Sequence, residues 1–141
     1  MFVAALFVMS LGIALVTRGN LGTTPISSLP LVSSYASNLT FGETTFLINL
    51  LFVVAQWLLL RRSINKVLLL AQIPITFAFS YFIDTSMKFT EFLSSDVYWK
   101  CLAVSMLGNV VLGLGVALEV FSGAAALPGE GLVLAVSTVL H

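Results

Sequence analysis

A chain of 141 residues that is 59% hydrophobic and 9% charged cannot build a water-facing surface, because soluble domains carry about 25% charged residues. Six basic and six acidic residues leave no net charge, which excludes an electrostatic footprint for nucleic acid and a polybasic membrane tether. A lone cysteine, Cys101, excludes an internal disulfide, and without a CxxC or Cys/His cluster no zinc, redox or other cofactor chemistry is expected.

The composition predicts an all-α polytopic membrane protein, with spans where charges are absent over about 20 residues. Residues 1–17 run uncharged to Arg18. They lack the basic leader and small-residue cleavage pattern of a secretory signal, so they read as a retained span. Residues 19–42 are also uncharged but rich in Ser and Thr and broken by Pro25 and Pro30, giving a weaker span near 22–40. Clear spans follow at 44–60, closed by Arg61 and Arg62, and at 67–83, closed by Asp84. The fifth span, 101–118, ends before Glu119, and a short apolar segment, 128–141, opens with Pro128.

Orientation is read from the basic residues. The loop 61–66 has three positive charges and no acid, whereas Asp84, Lys88, Glu91, Asp96 and Lys100 sum to minus one. The loop 61–66 is therefore expected to be cytoplasmic and 85–99 external. Full crossing by 19–42 would put Arg18 inside as well and satisfy the same rule. Trp57, Tyr98 and Trp99 suit interfacial belts.

An internal similarity stands out. Leu11 to Leu29, LGIALVTRGNLGTTPISSL, aligns without gaps on Leu114 to Leu132, LGVALEVFSGAAALPGEGL, at a shift of 103 residues. Leu11, Gly12, Ala14, Leu15, Pro25 and Leu29 are identical to their counterparts, although Leu- and Gly-rich helices also align by accident. As a repeat, the division is 1–100 and 101–141, the second copy truncated, and four crossings between equivalent points make it parallel; a re-entrant segment would invert it. Counterparts of 44–60 and 67–83 are missing, which predicts a piece of a protein of about 200 residues.

GIALVTRGNLGTTPISSLP, then Phe41-Gly42 before a span containing Asn49, then LPGEGLVLAVS, resembles the YitT/YczE-like bacterial membrane proteins. The resemblance covers most of the chain and implies a multi-pass protein of the bacterial inner membrane with poorly defined activity. It carries over no catalytic residues. The basic leader and final helices of that family are absent here.

Polar groups within the spans are the candidate site. Thr24 is placed to cap a helix that starts at Pro25; the helix at Pro128 has no such cap, but Glu130 sits at its third position. Two such N-termini aimed at one axis suit an anionic group, or are plain interfacial helix starts. Gln72, Thr76, Ser80 and Asp84 form a slowly winding stripe, and Asn49 and Gln56 share a face of the preceding span. Such stripes line a solute path or join helices through hydrogen bonds. Gly108, Leu112, Gly115 and Glu119 share another face, the glycines permitting close contact and Glu119 pointing into it. Arg18 is the expected partner of Glu119.

Two functions follow. One is a small-solute transporter or permease, with Glu119 and Glu130 as coupling or substrate contacts and Asp84 a weaker candidate. The other is a non-transporting accessory that binds lipid or a protein through Gly108 and Gly115. A homo-oligomer is compatible with either. With His141 the only histidine and no serine or cysteine beside a base, an enzyme is not expected.

Overall fold

The computed structural model describes residues 1–61, 65–123 and 127–141. The described residues are helical, with six α-helices: α1 (Phe2–Arg18), α2 (Pro25–Ala36), α3 (Phe41–Leu59), α4 (Lys66–Phe89), α5 (Tyr98–Ser122) and α6 (Pro128–Leu140), and a 3-10 turn at Glu91–Leu93. Helices α3, α4 and α5 are long and apolar enough to cross a membrane, so the chain is a helical membrane protein in composition and element length. Two boundaries move from the charge-based reading. Helix α4 continues through Asp84 and Lys88, and α5 begins at Tyr98, because a charge near the end of a span leaves backbone hydrogen bonding intact. Helix α5 runs on past the expected end at 118 to Ser122, and residues 124–126 lie outside those described. Part of the basic loop 61–66 does too, at 62–64.

Helices α1 and α5 form the most extensive packing pair. A Cβ added at Gly12 would stand 2.5 Å from the Leu112 backbone nitrogen, one at Gly108 2.6 Å from that of Val16, and one at Gly115 2.7 Å from that of Met9. Only hydrogen fits there, so the two backbones approach as small-residue membrane seams do. Residue numbers rise on one helix as they fall on the other, so α1 and α5 are antiparallel. This corrects the parallel relation expected of 1–100 and 101–141. Gly108 and Gly115, expected as the packing surface of an accessory protein, are covered by α1.

Helix α4 runs alongside α1 in the same direction. The rings of Phe7 and Phe82 meet edge to face at 5.7 Å, and the Ser10 and Ser86 hydroxyls lie 3.2 Å apart. Helix α3 runs against α4, tied where the Ser80 hydroxyl donates to the Gly42 carbonyl and where the Phe46 and Phe77 rings meet at 5.9 Å. The core is Leu6, Met9 and Ile13 of α1 with Phe41, Phe79, Ile83 and Leu127.

These contacts settle the path of 19–42. Arg18, ending α1, donates from its guanidinium to the Met87 carbonyl at 2.8 Å. Gly42, opening α3, donates its N–H to Asp84 at 2.8 Å. Both lie at the C-terminal end of α4, so the chain leaves and returns to one side. Helix α2 has 12 residues, about 18 Å at 1.5 Å per residue, against about 30 Å of hydrocarbon. In place of the long helix expected near 22–40, the chain forms a half-helix, α2, and returns to the end of α4 that it left. Among the described residues, Arg18 therefore shares its end with Lys88 and Lys100, opposite Arg61 and Lys66, so basic residues stand at both ends of the bundle.

Candidate functional site

The first turns of α2 and α6 meet inside the bundle. The Ile26 side chain packs on Gly129, with its Cγ2 3.2 Å from where a Cβ would lie. From there the helices diverge. Helix α2 rises along the start of α3, where the Thr44 hydroxyl donates to the Pro30 carbonyl at 2.9 Å. Helix α6 descends along the end of α3, where the Gln56 amide donates to the Pro128 carbonyl at 2.8 Å. Beyond Gln56, Leu134 and Thr138 share a second cavity with Leu60 and Leu68, at the Arg61 end.

Between the two helix starts lies a cavity of about 150 Å³. Its polar wall is Thr24, Ser27, Thr45, Asn49 and Glu130, and Met9, Ile13, Phe79, Leu112 and Val116 supply most of the apolar wall. That volume matches one known to hold a benzene-sized molecule. Thr24 caps α2 as its position predicts: its hydroxyl oxygen accepts the Ser27 N–H at 3.3 Å and donates to the Ser27 hydroxyl at 2.8 Å. Helix α6 has no side-chain cap, and Glu130 occupies its first turn. Pro30 has no N–H for the carbonyl of Ile26, so that acceptor on the cavity wall loses its usual helical partner.

The seven residues singled out from sequence divide into three groups. Thr24, Asn49 and Glu130 line the cavity together. Glu119 lies one turn beyond the cavity residue Val116, 3% exposed, with neither oxygen hydrogen-bonded. Gln72, Asp84 and Arg18 stand apart. Gln72 borders the second cavity and accepts the Thr76 hydroxyl on its backbone carbonyl at 2.7 Å. Asp84 accepts the Gly42 N–H and the Thr40 hydroxyl, each at 2.8 Å, so this carboxylate closes the N-terminus of α3. Stripe residues Ser80 and Asp84 join helices α3 and α4.

The Arg18–Glu119 pair is corrected. Gly19, next to Arg18, lies against Ser105, so the antiparallel register holds Arg18 about 20 Å along the axis from Glu119. Thr45 and Ser27 escaped notice in the sequence. Thr45 is four residues before Asn49, on the same helical face, and that spacing was the available signal. Among the described residues no group of three or more His, Cys, Asp or Glu is placed to hold a metal ion.

Over residues 1–141 the chain matches a family of unknown function, DUF6198, and it belongs to that family. No curated protein and no solved structure matches it.

Proposed function

We propose that this DUF6198 chain is the core of a small-solute transporter or permease, with the solute held between the first turns of α2 and α6. The observation that carries the reading is the meeting of two half-helices at one largely apolar cavity with Thr24, Ser27, Thr45, Asn49 and Glu130 on its wall. Non-helical backbone at membrane depth is tolerated where it is buried in protein or lines a cavity, and discontinuous helices of this kind frame transporter sites. The glycine seam supports an inverted repeat, because the contact of Gly12 with Leu112 becomes that of Gly115 with Met9 under the 103-residue shift. Kinship with the YitT/YczE-like proteins, and a bacterial inner membrane as the location, belong to the same proposal.

A panel of solutes small enough for the cavity tests it by thermal melting of the detergent-purified chain. A true ligand at a hundredfold excess over Kd stabilises by about 2.7 kcal/mol. Asn49→Phe, which fills the cavity, abolishes the shift while the protein still melts cooperatively. A panel without any shift refutes a solute site here.

A further inference from the structure

Glu119 is the one ionisable side chain among the described residues that is both fully buried and without a hydrogen bond to its carboxylate. An unpaired carboxylate at the centre of a membrane is unfavourable by at least about 2.5 kcal/mol, so it either carries a proton or faces a cation. Among the described residues, its surroundings offer no basic side chain. Helix α1, the helix packed on α5, presents Ala5 at that level of the register and carries no titratable side chain before Arg18. The Met1 amino group, one turn from Ala5, is 79% exposed. From α6 the facing group is Glu130, a second acid.

The balance of charge decides what the cavity attracts. Each helix N-terminus contributes about half a positive charge, so α2 and α6 together bring about one. Their prolines at the first position, the Thr24 cap and the bond from the Gly131 N–H to the Leu127 carbonyl leave few N–H groups for an anion. Two carboxylates outweigh that single positive charge and leave the region about one unit negative. A metal ion would want several more oxygens than two acids supply. An organic ammonium ion suits the rest of the wall: Thr45, Asn49 and the Ile26 carbonyl offer acceptors, Met9, Ile13 and Val116 meet alkyl groups, and the Phe79 ring adds cation–π attraction.

Building on the solute site proposed above, we propose that Glu119 and Glu130 form one monovalent-cation site, which holds a proton when the cavity lacks solute and exchanges it for a small organic ammonium ion. The proton leaves a carboxyl oxygen for water as the ammonium ion enters with its own protons, so the charge of the site is unchanged. A cavity of about 150 Å³ limits the ion to about six heavy atoms.

Titration calorimetry on the detergent-purified chain tests this with three probes of matched size: propylammonium chloride, sodium propionate and 1-propanol. Propylammonium is expected to bind with release of about one proton per ion, read by repeating the titration in buffers of different ionisation heat. Glu119→Gln and Glu130→Gln are each expected to weaken it about tenfold or more, the loss of one charge contact. Glu130 sits half-buried in a first turn, so its variant carries the test if Glu119→Gln does not fold. Binding of propionate or propanol in place of propylammonium overturns the cation assignment and leaves the solute site standing. Binding without proton release, or undiminished in both variants, also overturns it. Binding of none of the three sinks this proposal and the solute site together.

Discussion

The α3–α4 hairpin and the α5–α6 junction both set an acid within the fold, half-buried at Asp84 and fully buried at Glu119, and they treat it in opposite ways. In the hairpin the polar groups close on one another. Asp84 takes the Gly42 N–H and the Thr40 hydroxyl, Ser80 donates to Gly42, and Thr40 and Glu43 complete a reciprocal cap. At the junction Glu119 is more deeply buried than Asp84 and neither of its oxygens is bonded. The acid whose bonds are complete holds two helices together, and the acid whose bonds are missing is the one to which the proposal above assigns a cation.

Four substitutions break or sharpen this contrast, each read from melting or denaturant unfolding in detergent. Gly12→Leu should act most strongly, at about 3 kcal/mol or more, because its side chain meets the backbone of Leu112 and cannot be accommodated by a rotamer change. Asp84→Ala should cost about 2 kcal/mol by releasing two bonds, one of them to a helix N-terminus. Thr24→Ala should cost about 1 kcal/mol, the usual value of a lost cap. Glu119→Gln should change stability by less than about 0.5 kcal/mol in the absence of solute, since no bond is removed. A loss at Glu119 as large as that at Asp84 would erase the distinction between structural and functional acid.

Charge-free stretches were enough to locate the bodies of α1, α3, α4 and α5, though α4 runs six residues past its expected end, because taking a charge out of water is costly at membrane depth and less so near a helix end. Pro25 and Pro128 fixed the starts of α2 and α6, and Thr24 its own cap, because these are local effects of a missing N–H and a short hydroxyl. Arg18 and Asp84 were misread for a different reason. Their roles depend on partners 69 and 42 residues away, and on which helices run side by side. Periodicity reports the face of a helix, not its neighbour or its direction. The return of the chain after α1 was hidden likewise: the composition of 19–42 is that of a poor span, and only the shared location of Arg18 and Gly42 at the end of α4 shows that the segment turns back.

The half-helix α2 also has a consequence for biosynthesis. Residues 19–24, with Asn20 and Gly22 at positive φ, carry backbone that lipid cannot satisfy. Their shelter includes Ser105 and Asn109 of α5, which are synthesised long after them. The packing of Gly19 on Cys101 and Ser105 therefore forms only after α5 has been made, so this part of the fold is completed late in synthesis.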